Sequence, residues 1–181
     1  METLETKRLI LRAWNIDDAK ALYEYAKHPD VGPHAGWKPH ESVEESSKIL
    51  KEILLPAEAW AVIYKETDEI IGNIALETDR IRPGVLSKEL GYGLKHEWWG
   101  KGIITEASKE VIRFGFEDLN LEIIAIHTSE VNKRSQRVIE KCGFNYEGLI
   151  RCATRTHKGE LRNSYVYSIT KEEWIKINSK E

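Results

Sequence analysis

Cysteine is scarce in this chain: Cys142 and Cys152 are the only two in 181 residues. They show neither C-x-x-C spacing nor the density of a disulfide scaffold, so free thiols in a reducing compartment are expected. A large charge of one sign is missing too, with a net charge of -3 and a pI near 6.1. That balance gives no bulk attraction to nucleic acid or to an anionic membrane, and neither is expected as a partner. Long apolar runs are absent. The opening METLETKRLILRAW is interrupted by Arg12 and is too short for a signal peptide or a membrane span, so the protein is read as cytoplasmic. With no repeat, no low-complexity tract and no linker, and at 41% hydrophobic and 31% charged residues, one globular domain over residues 1–181 is expected.

Several chemical signatures are also missing. A Walker A loop ending at Gly100-Lys101 needs Gly where Lys95 stands and Ser or Thr where Gly102 stands. A dinucleotide fingerprint fails because Gly91-x-Gly93 is followed by His96, and Gly100-x-Gly102 by Thr105. The chain has six histidines, among them His28, His34 and His40, but they lack the paired spacing and the Cys or acid partners of a zinc site. No metal is expected.

What is present reads as alternating strands and helices. Arg8–Trp14 is strand-like, and Asn15 with Asp18 forms a capping box for a helix carrying Ala19, Leu22, Tyr23 and Ala26. Residues 28–40, HPDVGPHAGWKPH, hold three prolines and two glycines and are read as a long irregular loop. A second amphipathic helix is expected from Ser42 or Val43 to Leu55, stopped by Pro56, and a hairpin from Ala59 to Glu77. The next strand, in KELGYGLKHE, contains Gly91 and Gly93, which mark a bulge or a close approach of backbone or ligand. It leads into Trp98-Trp99-Gly100-Lys101-Gly102 and a helix with Ile103, Ile104, Ala107, Val111, Ile112 and Phe116 on one side. Bare N–H groups at a helix start make an anion site suited to phosphate. Asn132 is placed to cap another helix, with Val138, Ile139 and Cys142 as its buried stripe and Gly143 as its left-handed stop. Thr170 to Glu173 is a capping box for a short terminal helix docked through Trp174 and Ile177.

This order, with the run Glu97-Trp98-Trp99-Gly100-Lys101-Gly102 set against the pattern Q/R-x-x-G-x-G/A, resembles the GNAT acyltransferase superfamily, with Glu in place of the first Gln or Arg. The stretches LGYGLKHEWWGKGIITEA, LETKRLILRAWNIDDAKALYEYAKHPDV and VNKRSQRVIEKCGFNYEG resemble its RimJ/RimL-like branch over nearly the whole chain. The resemblance implies an α/β (α+β) fold, a mixed and mostly antiparallel sheet with one splayed strand, flanked by helices. It implies acetyl-CoA as cosubstrate, with the pyrophosphate on the glycine loop and the start of the next helix.

The expected cofactor set is Leu94, Lys95, Trp99, Gly100, Lys101, Gly102, Ile103, Ile104, Thr105, Asn132 and Ser135. Backbone N–H groups near Leu94 and Lys95 are expected to polarise the thioester carbonyl, and Trp99 to pack under the loop. Many relatives carry a Tyr acid where Ile139 stands, and in the branch a Ser at the place of Ser135 is the implied substitute. Glu89 shares a strand face with Gly91 and Gly93 and is the expected base, with Glu77 second. His34 and Trp37 are expected to line the acceptor pocket together with Glu77, and the acidic run Glu41, Glu44, Glu45 to draw a cationic acceptor. The implied reaction is direct attack of a primary amine, of RimJ/RimL type a protein N-terminus. A small amine acceptor and a non-catalytic acyl-CoA sensor are the alternatives, and both monomer and homodimer stay open.

Overall fold

Apolar residues in the first strands alternate between two packing surfaces, and that alternation builds a sheet with helices on both faces. The computed structural model describes residues 1–179. In chain order it runs β1 (Leu4–Glu5), β2 (Leu9–Ala13), α1 (Ala19–Ala26), α2 (Gly32–Ala35), α3 (Val43–Ile49), β3 (Ala59–Tyr64) and β4 (Glu69–Thr78). It continues with β5 (Ser87–Leu94), α4 (Ile103–Glu117), β6 (Ile123–Ser129), α5 (Lys133–Lys141), β7 (Asn145–Arg155), β8 (Leu161–Thr170) and α6 (Lys171–Asn178). The eight strands form one sheet in the order β1-β2-β3-β4-β5-β6-β8-β7. Every neighbouring pair is antiparallel except β5 and β6.

In β3 the alternation is explicit. Trp60 and Val62 join a core with α4 and α5, through Ile103, Val111, Phe116 and Ile139, while Ala59, Ala61 and Ile63 join a second core with Leu22, Tyr25 and Leu50 on the α1 and α3 side. Trp60 and Phe116 are fully buried, so truncating either to Ala is expected to cost about 3–5 kcal/mol.

The parallel pair makes the functional opening. β5 pairs with β6 only over Ser87–Glu89 against Ile123–Ala125. Beyond that, β5 stays with β4 to Leu94, and β6 stays with β8 to Ser129. Between Leu90 and Leu94 the two strands therefore part, leaving a wedge in the middle of the sheet.

Most expected elements are found, with three differences. The 28–40 segment is not wholly irregular: Pro33, whose missing N–H costs nothing in a first helical turn, starts the short helix α2, which Gly36 ends at φ +95°. The helix after Ser42 changes character, α3 giving way to a π-helical turn over Leu50–Leu54 in which Leu55 N–H donates to Leu50 O at 2.9 Å. β5 ends at Leu94 rather than Glu97, and His96–Trp98 form a 3₁₀ turn. Of the two meanings of the β5 glycines, close approach holds at Gly93, while a Cβ on Gly91 would meet only Glu77 Oε1, at 3.7 Å. The β4–β5 register is unbroken, and a Cβ on Gly72 would lie 2.3 Å from Gly93 O.

Candidate active site

The glycine loop has the backbone an anion site needs. Gly100 and Gly102 take φ values of +76° and +74°, a region that side chains other than glycine's enter at a cost. Gly102 is the N-cap of α4, so the N–H groups of the helix's first turn have no intrahelical partner and face one point. The loop is held from behind. Arg8 Nη1 donates to Lys101 O at 3.1 Å, and Arg8 Nε donates to Glu106 Oε2 at 2.7 Å. Glu106 Oε1 accepts from Thr6 Oγ1 at 2.6 Å and from Arg8 N–H at 2.9 Å. Burial alone would raise the Glu106 pKa, but these donors outweigh it and hold the carboxyl below its ordinary value. Glu106→Gln is expected to lower stability at neutral pH by about 1–3 kcal/mol by chemical denaturation, the cost of unmaking a charged hydrogen-bond cluster. Because the native pKa is depressed, that difference shrinks as pH falls through the carboxylate range.

Trp99 braces the same loop. Its Nε1 donates to Leu94 O at 2.9 Å, and its ring meets His96 at 4.6 Å and the Arg134 guanidinium at 4.6 Å. Trp98 packs tilted against Tyr64, ring centroids 4.4 Å apart at 48°, and the Lys101 ammonium lies over it at 4.7 Å. Both tryptophans are half-buried.

Two cavities flank β5. The larger, about 860 Å³, runs from the glycine loop up the wedge, and it is lined by Leu94, Trp99, Gly100, Gly102, Ile103, Ile104, Thr105, Asn132 and Ser135 together with His34, Trp37 and Glu77. The smaller, about 490 Å³, lies between β5, β6 and the β7–β8 hairpin and holds Glu89, His127, Ser129, Arg162 and Asn163. Both are lined by His34, Gly91, Tyr92, Asn132 and Ser135, so they meet at the middle of the wedge.

Asn132 Oδ1 caps α5 by accepting from Ser135 N–H at 3.2 Å. Ser135 is buried, and its Oγ lies 2.8 Å from the Tyr92 hydroxyl. Glu89 stands 3.8 Å from His127 Nδ1. Its pKa is raised, chiefly by burial, which outweighs the opposing charge of His127 and is reinforced by Glu77 and Asp79. Gly93 is bare because a Cβ there would sit 2.7 Å from Asn73 Oδ1, which accepts from the buried Tyr25 hydroxyl at 2.8 Å. His34 has its pKa lowered, chiefly by burial, which favours the neutral ring.

Some expected site residues have other work. Lys95 N–H donates to Ile71 O at 2.7 Å and its ammonium pairs with Glu69 at 2.6 Å, so its amide is not free to meet a carbonyl. Antiparallel bonding alternates, and with Lys95 bonded to β4 the N–H groups of Tyr92 and Leu94 point instead into the wedge. Lys101 lines neither cavity, its side chain lying on Trp98. The acidic run is tied up locally: Lys38 Nζ lies 3.4 Å from Glu41 and 3.2 Å from Glu45, whose carboxylate also accepts from Glu41 N–H at 2.6 Å. His40 is buried and bonded to Ser46 at 2.8 Å. The histidines expected to stay apart from any metal set are regrouped: among the described residues His28, Asp30 and His96 bring possible ligand atoms within 4.8 Å. The two rings stack at 4.3 Å and 12°, so their in-plane lone pairs run alongside each other instead of converging on one ion.

Sequence reasoning missed the smaller cavity, Tyr92 and a basic row. Arg134, Arg137 and Lys141 line the larger cavity from α5. Their spacing of one and two helical turns was the available signal, and opposite the α4 start they suit a polyphosphate.

Residues 8–145 match the acetyltransferase (GNAT) domain family. The chain is 33% identical over 179 residues to an uncharacterized N-acetyltransferase of Bacillus licheniformis, covering 96% of this chain and 99% of that one. It is 31% identical over 117 residues to the ribosomal-protein-serine acetyltransferase of Escherichia coli, covering 62% of this chain and 64% of that protein. The crystal structure of a GNAT-family acetyltransferase from Bacillus anthracis superposes with a TM-score of 0.84 at 24% identity, covering 94% of this chain and 99% of that one.

Proposed function

The chain belongs to the GNAT family of acetyltransferases, and we propose that its acceptor is the N-terminal amine of a protein, as in the RimJ/RimL-like branch. It is an acetyl-CoA-dependent N-acetyltransferase. The observation that carries the acceptor side is the meeting of two cavities at Gly91 and Tyr92, one reaching the phosphate-suited loop and the other holding Glu89. Coenzyme A fits the larger one: open N–H groups at the α4 start and the α5 row of Arg134, Arg137 and Lys141 suit its phosphates.

The amine enters through the smaller cavity. Glu89 takes its proton, directly or through one water, and the nitrogen attacks the thioester carbonyl. The N–C bond forms, the C–S bond breaks, and the electron pair leaves on sulfur. The carbonyl oxygen needs a donor where the two cavities meet; Tyr92 N–H serves there, while Leu94 N–H, which lies only along the larger cavity, serves the cofactor arm. The relative in Escherichia coli named as a ribosomal-protein-serine acetyltransferase supports a protein acceptor. A small amine is the second reading, favoured by the size of the smaller cavity, about 490 Å³ and within the range of small-molecule sites.

Thiol release from acetyl-CoA, measured across peptides with different N-termini, polyamines and aminoglycosides, tests both readings. Turnover restricted to peptide termini is the expected result, and turnover on small amines alone would overturn the protein acceptor. Tight binding of acetyl-CoA without turnover on any amine would replace the enzyme with a sensor.

A further inference from the structure

The position where many of the family carry an acid Tyr is Ile139 here, fully buried and outside both cavities. A departing thiolate at the junction of the cavities nevertheless meets a hydroxyl pair. Tyr92 reaches from the middle of β5 to the first turn of α5, where its hydroxyl lies 2.8 Å from Ser135 Oγ. Both residues line both cavities. Strand alternation puts the Tyr92 side chain on the face opposite Gly91 and Gly93, so the phenol and the acceptor cavity's Glu89 approach the reacting carbon from opposite sides of the strand.

We propose that Tyr92 is a positioning residue for the leaving group: its phenol donates to Ser135 Oγ, which turns the serine proton toward the coenzyme A sulfur as the C–S bond breaks. This rests on the acetyltransferase reading above. No proton leaves Tyr92. Chiefly through burial, its phenol holds its proton more firmly than a free one, whereas a free thiol has a pKa near 8.5, so full transfer to sulfur runs uphill. The pair instead polarises in sequence, phenol to serine and serine to thiolate, and stabilises charge on sulfur by one charge-assisted hydrogen bond. The balance is complete without it: the amine proton goes to Glu89, and the electron pair of the broken bond stays on sulfur.

Tyr92→Phe keeps the ring and removes the donor. Its kcat is expected to fall about tenfold, the loss of the neutral hydrogen bond that orients the serine hydroxyl, with KM for acetyl-CoA nearly unchanged. Ser135→Ala should fall at least as far, and the double variant no further than Ser135→Ala alone, because Tyr92 acts through the serine. An unchanged kcat in Tyr92→Phe, or single losses that multiply in the double variant, would overturn the proposal. A second readout needs no acceptor. The ultraviolet absorbance of the thiolate gives the pKa of coenzyme A bound to the protein, which is expected to lie below that of the free thiol in the wild type and to return upward in both single variants. If wild-type protein turns over no amine, the acetyltransferase reading fails, and the thiol titration alone decides whether the pair acts on sulfur. A bound thiol with the same pKa in wild type and Tyr92→Phe overturns it there too.

Discussion

Glu89→Gln is expected to lower kcat by about 10²- to 10⁴-fold, the usual worth of a positioned general base. KM for acetyl-CoA should stay close to wild type, because Glu89 lines the acceptor cavity and not the cofactor cleft. The substitution keeps shape and polarity, so lost activity is not lost structure. Stability makes that separable. A carboxyl whose native pKa is raised binds its proton more tightly folded than unfolded, and its contribution to stability therefore falls as pH rises through the interval between the two values. At neutral pH Glu89→Gln should then be at least as stable as wild type, measured by thermal or urea unfolding, while being far less active. A variant with normal activity, or one inactive only because it unfolds, would remove Glu89 from the role of base.

The same shift sets a pH profile. The base must be deprotonated, so the acid limb of kcat/KM is expected above the ordinary carboxylate range, and Glu89→Gln should erase that limb. An acid limb that persists in the variant belongs to another group, and His127, 3.8 Å away, is the first to test.

What the sequence disclosed and what it hid divide by distance along the chain. The caps at Asn15, Asn132 and Thr170 are written in four consecutive residues, and each forms as expected. The left-handed stop at Gly143, φ +82°, is equally local. So is the glycine loop, whose two positive φ angles and helix start lie within a few residues. The smaller cavity is different, because its wall joins β5, β6, β8 and α2, and no spacing rule reports which strand lies beside which. Tyr92 was legible as a strand residue but not as a partner of Ser135, which is 43 positions away. Lys95 failed for a related reason: whether an amide faces a neighbouring strand or the wedge depends on register, and the pairing of Lys95 with Ile71 is visible only once β4 and β5 are laid together. The short helix α2 escaped because three prolines read as breakers, although Pro33 falls at the one part of a helix that tolerates it.

Gly100→Glu should abolish coenzyme A binding, with the heat of titration falling to that of dilution and affinity lost by at least about 100-fold, while the protein still unfolds in one cooperative transition. The space around Gly100 permits the side chain, since a Cβ there would meet nothing within 4 Å. The backbone objects more than the packing does: at φ +76° a residue other than glycine costs about 1–2 kcal/mol, too little to unfold a typical domain. The carboxylate then lies beside the free N–H groups of the α4 start, where it takes up the positive end of the helix and repels the phosphates that end would hold. Gly100→Asn separates the two effects. Asparagine tolerates the left-handed region best among residues with a side chain and brings no charge, so it should keep the fold and much of the binding. Equal loss in both variants would assign the defect to backbone conformation instead of charge. Full binding in Gly100→Glu would take the phosphates off this loop altogether and leave the basic row on α5 as their remaining anchor.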